Sequence, residues 1–238
     1  MKLDLLVFAA HPDDAELGCA GTIAGITASG KKVGIVDLTE GEMSTRGSVE
    51  VRRAEAAEAA KILGVIVREN LGFKDVFFQN EWYEQERIIR VIRRYRPERV
   101  IINAVTDRHP DHERATSLLK QALFMSGLQK IITKDGEKEQ IPFRPLAIYH
   151  YIQNDYIEPD FIVDITDNWN KKNAAIRAFY SQFYDPDSNE PDTFISKPDF
   201  LAFTEARARE FGHRIGVTFG EGFTTDRKPG VKDLFDLI

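Results

Sequence analysis

The stretch Leu3-Asp4-Leu5-Leu6-Val7-Phe8-Ala9-Ala10 runs without a break into His11-Pro12-Asp13-Asp14. Eight residues, all but one apolar, have the length of a strand and fall short of a helix. Such a run reads as a strand covered on both faces, the signature of an interior parallel sheet. Outward from it the pattern alternates. Glu16–Ser29 is rich in small residues and stops at Gly30, which suits a helix with a glycine end. Lys32–Leu38 reads as a strand, Val49–Leu63 as a helix closed by Gly64, and Val65–Asn70 as a third strand. Glu81–Tyr95 is a helix, Arg99–Asn103 a strand and Asp111–Met125 a helix. Alternation of this kind predicts an α/β fold: a Rossmann-like, mostly parallel sheet with helices on both faces.

Beyond residue 125 the pattern is less regular and predicts a smaller C-terminal α/β extension. Strands are expected at Ala147–Ile152 and Phe161–Ile165, then a helix from Asp167 to about Phe183. Tyr184–Pro198 is polar, carries three prolines and suits a lid or binding loop. A last helix, Asp199–Ile215, precedes the glycine-rich Gly216–Phe223. The 238 residues are expected to form one domain, a core of about 1–125 whose site is completed by about 126–238.

A formal charge of −6 and the lack of a basic block argue against nucleic acid or an anionic membrane as partner. The densest positive cluster, Arg90, Arg93, Arg94, Arg96 and Arg99, is interleaved with glutamates and reads as a solvated face. No apolar run spans a bilayer, and the first residues lack the build of a signal peptide, so a cytoplasmic protein is expected. A single cysteine, Cys19, forms no internal disulfide and reads as a small buried residue.

Chemistry concentrates where two strands end. In open α/β sheets ligands sit at the strands' carboxyl ends, where strand order reverses. His11-Pro12-Asp13-Asp14 follows the first strand, and Asp107-Arg108-His109-Pro110-Asp111-His112 follows the fourth. Three of the five histidines lie in these two loops. Two imidazoles and one carboxylate, His11, His112 and Asp14, would leave an open position on zinc, the arrangement of a hydrolytic centre. Asp13 is then free to accept a proton from water, and His109 to stabilise an oxyanion or protonate a leaving amine. Taken singly, each cluster is equally well read as a structural histidine and a helix cap. The same ligand types also form the non-haem iron triad, and iron could occupy the same site in a hydrolase.

Ala10-His11-Pro12-Asp13-Asp14-Ala15-Glu16 with Gly21-Thr22-Ile23 resembles the signature of the PIG-L/LmbE deacetylase family. Asp107–His112 resembles that family's second motif, and Asp37–Glu42, Arg52–Ala56 and Glu221-Gly222-Phe223 are also similar. The resemblance implies a metal-dependent deacetylase of N-acetylglucosamine-type sugars. His11, Asp14 and His112 would be the zinc ligands, Asp13 the general base and His109 the acid or oxyanion partner. It also implies Arg52 facing the sugar, Arg144 near the entrance and a homo-oligomer. Thr45-Arg46-Gly47-Ser48 and Ser181-Gln182-Phe183 are similar to the members that deacetylate N-acetylglucosaminyl malate for bacillithiol synthesis. Arg46 and Arg108 would then be carboxylate clamps for malate. Phe200 aligns with a tyrosine that some members carry near the acetyl oxygen.

Glu16 reads either as a group orienting a ligand or as a helix-start acid. His150 reads as a core or interface residue, and His213 carries no assigned role. A non-catalytic sugar or nucleotide binder remains an alternative, although two aspartates in the first turn would repel a pyrophosphate.

Overall fold

A computed structural model describes the backbone of residues 1–238 and every side chain except that of Asp236. The first half comprises β1 (Leu5–Ala9), α1 (Asp14–Ala28), β2 (Val33–Thr39), α2 (Val49–Leu63), β3 (Val67–Phe73), α3 (Trp82–Tyr95), β4 (Arg99–Ile102) and α4 (Pro110–Met125). A hairpin, β5 (Lys134–Asp135) and β6 (Lys138–Glu139), precedes β7 (Ala147–Tyr151) and β8 (Phe161–Asp164). Then come α5 (Trp169–Arg177), α6 (Phe200–Arg214) and β9 (Gly220–Thr224).

Seven strands form one sheet in the order β3-β2-β1-β4-β7-β9-β8. The first five are mutually parallel. Residues of β1 alternate as a two-sided strand requires. Leu6 and Phe8 join Ile88 and Ile92 of α3 and Leu118 and Leu119 of α4. Leu5, Val7 and Ala9 join Ile23 of α1, Leu63 of α2 and Ile176 of α5. Burying each large side chain contributes about 1.5–3 kcal/mol. Strand order reverses between β1 and β4, so a crevice opens at their carboxyl ends. Among the described residues no helix is long and apolar enough to cross a membrane.

Several expectations are corrected here. In the extension β7 continues the parallel pattern, whereas β9 runs antiparallel to both β7 and β8 in the same sheet, which is therefore mostly parallel as expected. The helix expected to reach Phe183 ends at Arg177. Beyond it the Glu55 carboxylate accepts the Ser181 backbone N–H at 2.7 Å and its hydroxyl at 3.0 Å, taking the donor that a helix would have used. Arg93 is not on a solvated face. It is buried, and its guanidinium donates to the carbonyls of Ser126, Leu128 and Ile131 beyond the end of α4.

Helix α1 starts at Asp14, two residues before expectation, and leaves helical geometry at Cys19 (φ −149°, ψ 22°). The interruption is compensated from the far end of the chain. Glu221 accepts the N–H groups of Gly21 at 2.9 Å and Thr22 at 2.7 Å, and Lys172 donates to the Leu17 carbonyl at 2.7 Å. Lys172 and Glu221 are themselves paired at 2.6 Å. Gly18 must be glycine, because a Cβ there would stand 2.4 Å from the Tyr151 ring. The Glu221-Gly222-Phe223 motif is thus explained by structure: it holds together the interrupted helix behind the first loop.

Candidate metal centre and active site

The first loop leaves β1 at Ala9 and enters α1 through Asp13, whose backbone is left-handed (φ 114°, ψ −23°). For a residue with a Cβ this costs about 1–2 kcal/mol. Asp13 makes no side-chain cap bond to α1. Its carboxylate instead receives Arg52 Nη2 at 2.6 Å. Strain at a functional loop is a reason to look for chemistry there. Gly41 (φ 66°) lets Arg52 pass, since a Cβ at that position would stand 2.2 Å from Arg52 Nη1.

In the second loop, β4 ends at Ile102 and α4 starts at Pro110. His109 caps α4, its Nδ1 accepting the Asp111 N–H at 3.3 Å. Neutral His109 therefore carries its proton on Nε2. One turn into the helix, His112 is oriented from behind: its Nδ1 lies 2.5 Å from Asp107 Oδ2. The other ring nitrogen, Nε2, lies 3.2 Å from Asp14 Oδ1.

His11 is arranged the same way. Its Nε2 lies 3.0 Å from Asp75 Oδ1 and 3.4 Å from Asp111 Oδ2, and its Nδ1 lies 3.4 Å from Asp14 Oδ2. Each imidazole is backed by a carboxylate on one nitrogen and turns the other toward Asp14, the usual support of a metal-ligating histidine. Ligands about 2.05 Å from one tetrahedral ion stand about 3.3 Å apart. The two spacings to Asp14, one from each of its carboxylate oxygens, match that value. Two groupings have all their donor atoms within 4.8 Å of one another: His11, His109 and His112, and His11, Asp75 and Asp111. In the second, Asp75 also accepts the Met43 N–H and Asp111 the Val76 N–H, so both are tied to the scaffold.

The electrostatics follow from burial and neighbours. Burial, partly offset by Arg52, pushes the Asp13 carboxyl up to about 7. Burial disfavours ionised Asp14, but His112 and His11 overcome it and hold that carboxyl well below its ordinary value. Burial also opposes protonation of His112, yet Asp14 and Asp107 raise it to about 9. Half-buried His109 is pushed down by burial and by the neighbouring imidazoles, which favours its neutral form.

A cleft of about 280 Å³ opens over these residues, near the lower end of ordinary small-molecule sites, about 300 Å³. The structure brings His11, Asp13, Asp14, Arg52, Arg108, His109 and His112 to it. Arg108 lies 4.1 Å above the Phe194 ring. Arg46 is not among the lining residues. It is buried, and its guanidinium donates to the Ser181 carbonyl at 3.1 Å and Ser188 Oγ at 3.0 Å. Arg144 is not brought there at all. It lies three residues before β7, at the amino ends of the strands, and bonds the Phe124 carbonyl. From Phe124 the site lies at the other end of α4, about 20 Å away by helix rise.

Phe200, expected near an acetyl oxygen, is buried at the head of α6 and stacks on Phe183 at 6.1 Å. The aromatic that reaches the cleft is Phe194, six residues earlier. Glu16 binds Arg68 at 2.5 Å, in a buried network with Asp37 behind the first loop. Cys19 and His150 are buried, the latter within 3.0 Å of the Asn103 carbonyl. Sequence reasoning missed Asp75 and Gln153. Asp75 follows the carboxyl end of β3 and Gln153 that of β7, so the rule that pointed to the two histidine loops covers both.

The family model PIG-L, described as GlcNAc-PI de-N-acetylase, matches residues 6–123. A diacetylchitobiose deacetylase of Thermococcus kodakarensis is 33% identical over 183 residues, 73% of this chain and 67% of the relative. The chain belongs to the PIG-L family. A solved structure, that of a conserved protein from Thermus thermophilus, is 36% identical with a TM-score of 0.86, covering 98% of each chain. The family likeness is not confined to deacetylases. A 4-oxalmesaconate hydratase of Pseudomonas putida is 30% identical over 192 residues, 74% of this chain and 73% of that enzyme. The PIG-L match contains both histidine loops and Arg52 and ends before Arg144.

Proposed function

We propose that this PIG-L protein is a metal-dependent hydrolase that removes the acetyl group from an N-acetylglucosamine-type sugar, with N-acetylglucosaminyl malate as its preferred substrate. The observation that carries the reading is the Asp14 carboxylate between two imidazoles, each braced by a further carboxylate, with strained, buried Asp13 beside it. His11, Asp14 and His112 would hold the ion. Zinc bound there would supply the Lewis acidity that makes water a nucleophile at neutral pH.

The remaining steps belong to the chain. Asp13 takes a proton from the attacking water, its carboxylate steered by Arg52. The water oxygen bonds to the acetyl carbon, and the developing oxyanion receives a hydrogen bond from His109 Nε2. The C–N bond then breaks, the amine nitrogen takes up the proton and acetate leaves. Arg108, held over Phe194 at the cleft, offers a guanidinium to a substrate carboxylate, which favours an acidic aglycone over a plain sugar. Arg46 serves that specificity indirectly, by holding Ser181 and Ser188 in the neighbouring segment.

A second reading has support of its own in the hydratase relative. Water activated by the same residues could add across a conjugated double bond of an unsaturated tricarboxylate. The test is acetate release by zinc-loaded protein from N-acetylglucosaminyl malate, N,N'-diacetylchitobiose and N-acetylglucosamine, alongside loss of ultraviolet absorbance from 4-oxalmesaconate. Preference for the malate conjugate is expected. Acetate from chitobiose alone would keep the chemistry and overturn the malate assignment, and hydration without acetate release would overturn both.

A further inference from the structure

Arg207, on α6, lies outside both histidine loops, yet it grips the segment that steadies them. Gln153, Asn154 and Asp155 follow β7 at the same rim of the sheet as the metal site. From this short segment Gln153 Nε2 donates to Asp14 Oδ1 at 2.6 Å, and the Asp155 N–H donates to Asp107 Oδ1 at 3.0 Å. Asn154 Nδ2 reaches Asp107 Oδ2 at 3.5 Å. The carboxylate between the two imidazoles and the carboxylate behind His112 are thus both oriented from three consecutive residues.

The segment has no helix or strand of its own to fix it. What fixes it is one guanidinium. Arg207 Nη2 donates to the Asn154 carbonyl at 2.5 Å, and Nη1 donates to the carbonyls of Gln153 and Asp155. The guanidinium lies on the Phe203 ring, 4.8 Å from its centre, which limits its freedom to turn away. A planar fork of five donors can bind three carbonyls at once, whereas an ammonium on a flexible stem cannot hold the same three in one plane.

We propose that Arg207 is a positioning residue for the metal centre, acting through Gln153 on Asp14 and through Asp155 on Asp107. The inference rests on the assignment of His11, Asp14 and His112 as the metal ligands. Residues that orient ligands from behind typically alter metal affinity about 10- to 100-fold when removed. Arg207 sits one contact further out, so the lower end of that range applies.

The test is zinc affinity, measured by competition with a chromophoric chelator, together with the visible spectrum of the cobalt-loaded protein. Arg207→Met is expected to weaken zinc about 10-fold and change the cobalt bands, and Arg207→Lys to restore part of the loss. Activity lost at limiting zinc should return at saturating zinc. Gln153→Ala tests the path without touching α6, and its effect should not add to that of Arg207→Met. If Arg207→Met fails to fold, Gln153→Ala and Arg207→Lys carry the test on their own. Unchanged zinc affinity and cobalt spectrum in the folded variants would overturn the inference, as would a wild-type protein that binds no divalent metal. Because the readout is metal affinity, weakened zinc binding with no acetate release from any sugar would refute the proposed reaction and leave the role of Arg207 standing.

Discussion

Two buried clusters of charge lie within a few residues of each other along α1, and they are built on opposite principles. Behind the helix, Glu221 and Lys172 are paired one to one, and their remaining capacity goes to the backbone groups freed at Cys19. That cluster is closed. In front of the helix, five buried carboxylates, Asp13, Asp14, Asp75, Asp107 and Asp111, face two guanidiniums, those of Arg52 and Arg114. Without an ion the imbalance falls on the imidazoles, which is why His112 is raised to about 9. A buried excess of negative charge with nitrogen and oxygen donors converging on one point suits a divalent cation. The contrast separates residues that hold the fold from residues held for chemistry.

The sharpest way to break this contrast is Asp13→Asn. If Asp13 is the base, kcat should fall about 10²- to 10⁴-fold, with zinc content by mass spectrometry unchanged. A variant that kept its turnover would return Asp13 to the status of a strained helix cap. Next comes Glu221→Ala, which leaves Lys172 buried and unpaired. Urea unfolding should register a loss of about 3–5 kcal/mol, whereas Asp14→Asn should lose metal and keep most of its stability. Similar stability losses for both would erase the distinction between the clusters. Asp107→Asn removes the brace behind His112, and zinc affinity should drop about 10- to 100-fold. The smallest effect belongs to Arg144→Ala. Lying at the far end of α4, it should shift stability by no more than about 0.5 kcal/mol and leave KM unchanged; a large rise in KM would contradict its placement away from the cleft.

Most of the first half was legible because its signals are local. β1 is a short apolar run buried throughout, and α2 ends on Gly64 in a left-handed conformation, as its sequence suggests. Both histidine loops follow from the strand ends, and the topology brings them together at the reversal of strand order. What stayed hidden depends on partners distant in sequence. The end of α5 is decided by Glu55, more than a hundred residues earlier. The direction of β9 is decided by its pairing with β7 and β8. Asp75 looks like any loop acid until folding sets it 3.0 Å from His11. Arg46 is expected to clamp malate and Arg144 to stand near the entrance, and only the fold shows one buried against Ser181 and the other at the opposite rim.

The most direct measurement is anomalous diffraction at the zinc edge from crystals of the zinc-loaded protein. A single peak within about 2.0–2.2 Å of ligand atoms of His11, Asp14 and His112 is expected, with Asp13 unligated beside it. A peak held by His11, Asp75 and Asp111, or no peak in the cleft, would contradict the assignment of the metal centre.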